Sequence, residues 1–447
     1  MRRRCAGVTL AALLAAVCAA SENGADAGKV RQVAEGRLSE ANAAWWGFDA
    51  EDATDALQAA INSRAKTVVV PNMGRPWVVR PVFLRSGLEL VFEDGVVVEA
   101  KKGEFLGGAD SLFSASKAEG LVLRGAATLR MRKADYENPD VYVKAEWRSG
   151  IALYGCRNVR IEGLTIAETG GDGVFIRGAF GGSPSFCENV TIRRVVCDGN
   201  YRQGVSVVSV KGLLIEDCVM KNTRGTAPAA GIDLEPDHNN EMLQDVVIRR
   251  CVIQNNEGSG LVIYGRQLDG AREPISILVE KCVVRGGGAG ASGICVSALS
   301  ERSPKGLVEI RDCEVENVAG PGLFIMDKSP AGARVVFSRC ALRNVASAVV
   351  DMDGFGTGKV RPPAIAPVTF FAFRPKLVPV NGGVEFEDCR VEDNQDRPAA
   401  LAVGGKEGIR LAGVKGRLIR RGPGKARLEL GANAESCGFE AVSDPRP

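Results

Sequence analysis

The sequence predicts an all-β chain: a single-stranded right-handed parallel β-helix, a solenoid with a capping helix at its N-terminal end. Three observations predict it. First, a short unit, glycine followed by apolar-x-apolar, recurs at Gly150, Gly173, Gly204, Gly231, Gly260, Gly293 and Gly322. Successive glycines lie 23, 31, 27, 29, 33 and 29 residues apart, which is the self-similarity of stacked supersecondary units. Second, another half-unit, apolar-x-x-Cys-x-apolar-x-Asn, returns with the same period at residues 215–222, 248–255, 279–286, 310–317, 337–344 and 386–393, glycine or aspartate closing two of the copies. Third, both halves alternate at period two, the mark of strands with one buried face, and no amphipathic stretch of crossover-helix length separates them. Short parallel strands without helical crossovers, one coil every 23–33 residues, leave the parallel β-helix as the architecture.

The elements follow in order. Residues 1–20 read as a signal peptide: Arg2, Arg3 and Arg4, then an apolar run too short to span a bilayer, with small residues near Cys18. This predicts a secreted or periplasmic protein. A lipid anchor at Cys18 fits poorly, because Val17 precedes it. Losing the three arginines takes the formal charge from +3 to about zero, which argues against a general nucleic-acid or membrane-surface binder. Residues 21–50 read as a lead-in, flexible to about residue 44. The coil domain is placed at 51–430, with its N-terminal cap at 51–100. In that cap Thr54 is a candidate N-cap, and Leu57 and Ile61 share a helical face. Two insertions interrupt the coil, at 131–149 and 353–382, the second expected to fold back over it. Residues 431–447 read as a loose tail, and a monomer with no membrane span is expected.

Thirteen cysteines in an exported chain would normally suggest disulfides. Here Cys218, Cys251, Cys282, Cys313, Cys340 and Cys389 occupy one inward position of the repeat. Stacked strands hold them about 4.8 Å apart with parallel side-chain vectors, too far for an unstrained bridge. They read as a column of buried thiols. The repeated Asn222, Asn255, Asn317 and Asn344 read as a ladder of turn amides.

This repeat, and the order of helix, Thr67-Val68-Val69-Val70-Pro71 strand and further short strands that precedes it, resembles the pectin lyase-like superfamily, and in the cap its polygalacturonase and pectate-lyase branches. The resemblance covers about residues 50–430. It implies an exported protein acting on, or binding, a polysaccharide.

Within each coil the first and third residues after the glycine face inward, the second and fourth outward. The second-position column reads Ala152, Phe175, Ser206, Asp233, Val262, Cys295, Phe324, and the fourth Tyr154, Arg177, Val208, Glu235, Tyr264, Ser297, Met326. Acids occur once in each column, on one rung. Asp233 and Glu235 therefore stand about 6.6 Å apart along one face, a spacing open to two cooperating carboxylates. Strand-end loops add Asp172, Arg202, Gln203, Arg224, Asp237, His238 and Arg266, and the 131–149 loop adds Trp147 among tyrosines and cations. The candidate catalytic residues are Asp233, Glu235, His238 and Asp172. The candidate substrate-binding residues are Arg177, Arg202, Gln203, Arg224, Tyr264, Arg266 and Trp147. No metal set is visible, since no CxxC pair exists and His238 is the sole histidine. No cofactor is required; calcium is admissible because standard pectate lyases use it.

Ala230-Gly231-Ile232-Asp233-Leu234-Glu235 is similar to the Tyr-Gly-Phe-Asp-Pro-His motif of mannuronan epimerases and related alginate lyases, with Ala230 in place of the tyrosine and Glu235 in place of the histidine. Gly171-Asp172-Gly173 and Arg202-Gln203-Gly204 are faintly similar to two polygalacturonase motifs. Two classes of function stay open. One is a glycoside hydrolase or polysaccharide lyase working around Asp233. The other is a non-catalytic cell-surface or polysaccharide-binding solenoid whose acids merely solvate the face.

Overall fold

A computed structural model describes residues 25–271, 273–289 and 291–347, and beyond them 350–351, 359–360, 366–393, 395, 399–405, 410–422, 427–428, 434–435 and 438–443. The leader and Cys18 lie outside the described residues. The chain coils into a right-handed parallel β-helix. One wall is a 12-stranded sheet running from Val82–Phe83 to Arg427–Leu428. The other is a 25-stranded sheet to which each regular coil gives two short strands, such as Val210–Glu216 and Val219–Lys221.

The alternating apolar residues make one continuous core. Val205, Val207, Ile232, Leu234, Leu261 and Ile263 are fully buried in it, facing inward as their parity requires. The cysteines stack as expected. The amides of Val252, Val283, Glu314, Ala341 and Arg390 donate to the carbonyls of Cys218, Cys251, Cys282, Cys313 and Cys340, one coil apart each time. All six column thiols are buried and unbridged. The residue before each thiol turns the corner: Asp217, Arg250, Lys281, Asp312 and Arg339 all hold φ between 50° and 55°. The asparagine corner does the same, with φ of 58° at Asn222 and 55° at Asn255, a conformation asparagine tolerates better than most residues. Its amides ladder from Asn255 to Asn222 and from Asn344 to Asn317, each at 2.7 Å.

The N-terminal cap is more elaborate than a flexible lead-in. Helix α1 (Ala27–Ala34) starts at Asp26, whose carboxylate accepts from the Lys29 amide. Glu40–Asn42 pairs with Thr67–Val70, and the 3-10 turn Ala43–Trp46 follows. Helix α2 (Thr54–Asn62) buries Ala56, Leu57, Ala60 and Ile61 over the open end of the core. Thr54 is not its N-cap. Ala53 holds that position, and the Thr54 hydroxyl donates to Asp52 and accepts from the Arg80 amide.

At the other end, Val368–Ala372 is a regular strand of the 12-stranded sheet rather than part of an insertion. Most of 353–365 lies outside the described residues. Gly438–Ser443 extends the larger sheet into what reads in sequence as tail.

Five consecutive strands of the 12-stranded sheet carry the site: β1 (Ile151–Tyr154), β2 (Val174–Arg177), β3 (Gln203–Val207), β4 (Ala230–Leu234) and β5 (Leu261–Tyr264). Their register aligns Ala152, Phe175, Ser206, Asp233 and Val262 in one outward column.

Candidate functional site

The outer face of β1–β4 is walled by the 131–149 segment. It opens with helix α3 (Lys133–Tyr136) and ends with Arg148. Arg148 is fully buried and, among the described residues, forms no ion pair. It donates instead to the carbonyls of Phe105 and Val143 at 2.8 and 2.9 Å and packs against the rings of Tyr136 and Tyr142. The end of the wall lies directly on Gly170 and Gly171. Arg148 bridges to Gly170, and a Cβ on Gly171 would stand 2.8 Å from both the Arg148 nitrogen and the Glu146 carbonyl oxygen. Only glycine lets the wall approach this closely. The next residue is Asp172.

Burial decides the electrostatics. Asp172 and Asp233 face away from the core, but they are 0% and 1% exposed. Burial disfavours a charged carboxylate. It raises the Asp172 pKa to about 7, with Arg202 opposing the rise and Glu146 adding to it. Burial also pushes Asp233 well above the usual carboxylate range. Glu235 adds to the rise by repelling the charged form, while Arg202 opposes it. Gln203 donates from Nε2 to Asp233 Oδ2 at 2.8 Å, fixing the carboxyl.

Arg202 is the hub. Its guanidinium lies 3.9 Å from Asp172, 4.0 Å from Glu235 and 3.9 Å from Glu146. Burial pulls its pKa down, but Asp172, Glu146, Asp233 and Glu235 outweigh that and raise it. Arg202 is therefore a fixed cation and no proton acceptor.

Above these groups opens a cleft of about 250 Å³, lined by Trp147, Tyr154, Phe175, Arg177, Phe180 and Arg202, with Ser206, Glu235 and Asp237 along its other side. Arg177 lies over the Phe180 ring at 5.9 Å and 4.0 Å from Asp237. Trp147 and Phe180 are 50% and 67% exposed, apolar plates presented to solvent.

Of the residues picked out in the sequence, Arg177, Arg202, Glu235 and Trp147 line the cleft, and Asp172, Gln203 and Asp233 lie buried beside Arg202 and Glu235. The structure does not bring His238, Arg224, Arg266 or Tyr264 to the cleft lining. After Pro236 the chain turns outward, where the amides of Asp237 and His238 donate to the Glu241 carboxylate, leaving the His238 ring exposed. Arg224 and Arg266 are exposed on loops. Tyr264 sits one rung beyond Glu235, and its hydroxyl accepts from Arg374. The face itself is no solvated groove. Ala152, Tyr154, Phe175 and Val208 pack as a separate apolar cluster under Phe180, which lies 4.6 Å from Tyr154.

Glu146 and Phe180 were not among the residues picked out in the sequence. Phe180 had a signal: the Gly173 to Gly204 interval is 31 residues against 23 and 27 on either side, which marks an outward loop at that coil. Among the described residues no group of three or more His, Cys, Asp or Glu side chains is placed to hold a metal ion, so the residues present do not form a calcium set. No helix among them is long and apolar enough to cross a membrane.

The fold and this cleft define the class: a right-handed parallel β-helix with a cleft on the outer face of one sheet. Residues 119–303 match the family described as right handed beta helix region. Among solved structures, the chain is similar to the A-module of mannuronan C-5 epimerase AlgE6 from Azotobacter vinelandii, with a TM-score of 0.63 and 17% identity, covering 91% of this chain and 100% of that one. It is also similar to a family 28 exopolygalacturonase from Yersinia enterocolitica, with a TM-score of 0.58 and 13% identity, covering 92% and 79%. At such identities the likeness is one of fold alone. Among curated proteins it is 25% identical over 310 residues to the SPbeta prophage-derived uncharacterized protein YorA of Bacillus subtilis, covering 61% of this chain and 50% of that protein. The chain thus spans about half the length of that relative, and the match to YclG of the same organism spans 30% of the latter.

Proposed function

We propose that the cleft cleaves a polysaccharide by acid–base chemistry, as a glycoside hydrolase. The observation that carries this reading is one arrangement: two buried, proton-holding carboxyls, Asp172 and Asp233, beside the half-exposed carboxylate of Glu235, all around the fixed cation Arg202. Carboxyls whose environments push their proton affinities apart can serve as acid and base at one pH. Glu235, the one of the three that lines the cleft, passes the proton held by Asp233 behind it to the leaving glycosidic oxygen, and the incoming water restores that proton. Arg202 steadies the negative charge that Asp233 acquires. Trp147 and Phe180 offer apolar plates for the faces of sugar rings. The printed names of the AlgE6 module and the exopolygalacturonase support a polysaccharide as the substrate class.

Lyase chemistry needs a base that removes a carbon-bound proton. His238 lies outside the cleft, and Arg202 is held as a cation beside Glu146 and Glu235, so neither is placed as that base and hydrolysis is favoured. The test is incubation with a panel of uronate-containing and neutral polysaccharides, following reducing ends and the ultraviolet absorbance of unsaturated uronates. Reducing ends without that absorbance, lost in Asp233→Asn and in Glu235→Gln, are expected. Unsaturated product would replace hydrolase with lyase. Binding without any product would assign the chain to the glycan-binding class.

A further inference from the structure

The 131–149 wall has a second side. There Lys133, Tyr136, Tyr142, Lys144 and Tyr201 enclose a recess of about 310 Å³. It shares no lining residue with the Asp233 cleft. Tyr201 and Arg202 are adjacent in the chain, yet Tyr201 lines the recess and Arg202 the cleft.

The floor of the recess is rigid. A Cβ on Gly170 would come within 2.5 Å of the Tyr136 ring, so the ring lies flush against that backbone. Tyr136 and Tyr142 meet edge-on at 5.1 Å, and the Arg148 guanidinium backs both rings at 5.2 and 5.6 Å. The Tyr142 hydroxyl accepts from the Gly103 amide at 3.0 Å. Tyr136 differs. It is 7% exposed, and its hydroxyl has no hydrogen-bond partner among the described residues. Burial pushes its phenol pKa up, so it remains a donor. A buried unpaired donor costs about 1–3 kcal/mol, which an acceptor on a ligand recovers. At one side the Lys133 ammonium donates to the carbonyls of Gly199 and Arg224, two of its three protons. Lys144 stands exposed at the rim opposite Glu137, leaving the lining one positive charge in excess.

We infer that this recess is a binding site for a single carboxylate-bearing sugar ring, separate from the cleft. The ring stacks on the tyrosines, an oxygen of it accepts from Tyr136, and the carboxylate meets Lys133 and Lys144. The volume lies at the small end of ligand pockets, about 300–1,000 Å³, and so suits one ring rather than a chain. A neutral sugar would leave the one excess positive charge of the lining without a counter-charge. The inference does not require the cleft to be catalytic.

The test uses the full chain with D-glucuronate and D-glucose as probes, read by saturation-transfer NMR and calorimetry at millimolar ligand. Glucuronate binding is expected, with glucose at least about tenfold weaker for want of the charge-assisted hydrogen bond. Tyr136→Phe should weaken glucuronate roughly fivefold, the worth of one hydrogen bond. Lys144→Ala, an exposed change, should weaken it by a similar factor, and Arg202→Met, in the cleft, should leave it unchanged. Equal binding of glucose, binding lost in Arg202→Met but kept in Tyr136→Phe, or no binding of either probe would each overturn the assignment.

Discussion

Replacing Asp172 by asparagine should stabilise the protein above neutral pH, and by an amount that depends on pH. The side chain is 0% exposed and its pKa rises from an ordinary 3.8 to about 7. In the unfolded chain the carboxyl ionises near 4; in the folded chain it keeps its proton to near 7. The folded state therefore binds the extra proton between those values, and stability falls as pH rises through that window. About three pH units at 1.36 kcal/mol each amounts to about 4 kcal/mol, all of it lost above pH 7. Asparagine carries no such dependence. The stability difference between Asp172→Asn and wild type should be flat below about pH 4, grow by about 1.4 kcal/mol per unit, and level off above 7. For a chain of this length that is about 4–5 °C in Tm, since unfolding entropy is about 2 cal/mol/K per residue. Differential scanning calorimetry of both proteins at pH 4, 5, 6, 7 and 8 reads it directly. A difference that stays constant across that range would mean Asp172 is ionised throughout, and that the wall does not keep water from it. On the proposed hydrolase reading, the same substitution should also lower the release of reducing ends.

Lys328 is the converse case. It is fully buried, its acceptors among the described residues are the Ser329 and Gly382 carbonyls, and burial, with Lys305 adding, lowers its pKa from 10.5 to about 7. Its charge destabilises the fold below pH 7, and that loss should be relieved between about 7 and 10; wild type should gain stability on Lys328→Met across that window, and parallel denaturation curves at pH 7 and 10 would contradict this. Gly231→Ala should unfold the site rungs, because its Cβ would come within 2.3 Å of Ile253 and 2.8 Å of the Gly260 carbonyl; an unchanged Tm would show that neighbouring coils can move apart. The ten described cysteines should resist alkylation natively and react after denaturation, and mass spectrometry finding bridges within the column would refute its reading as free thiols.

The coil was legible because its physics is local and repeated. A glycine at fixed period, alternation at period two and a cysteine at one inward position each report on a single strand. Asp233 was placed correctly by parity on the outward face, yet its burial was not legible. Gln203 from the preceding coil bonds its carboxyl, and Ser206 and Val262 stand on either side of it in the column, contacts between coils that no local pattern announces. His238 misled for the opposite reason. Three residues from Glu235 in sequence, it follows a proline and a turn onto Glu241, and the chain has left the cleft by then. The lead-in misled through composition: a segment rich in alanine and glutamate still docks, because Glu40–Asn42 finds an unpaired strand edge at Thr67–Val70. Val368–Ala372 was hidden among prolines, whose restriction of the backbone does not reach the strand they flank.

The site draws on three successive coils. Asp172 comes from one, Arg202 and Gln203 from the next, Asp233 and Glu235 from the third. In a solenoid each coil touches only its neighbours, so a whole coil can be duplicated or deleted while the core continues unbroken. One extra coil between β2 and β3 would carry Asp172 a further strand spacing, about 4.8 Å, from Arg202, and the cluster would come apart while the barrel of apolar residues stayed intact. In this architecture the gain or loss of an active centre can be a matter of counting. A lineage could switch between a catalytic and an inert solenoid by slippage in whole-coil steps, with no change at any residue of the site.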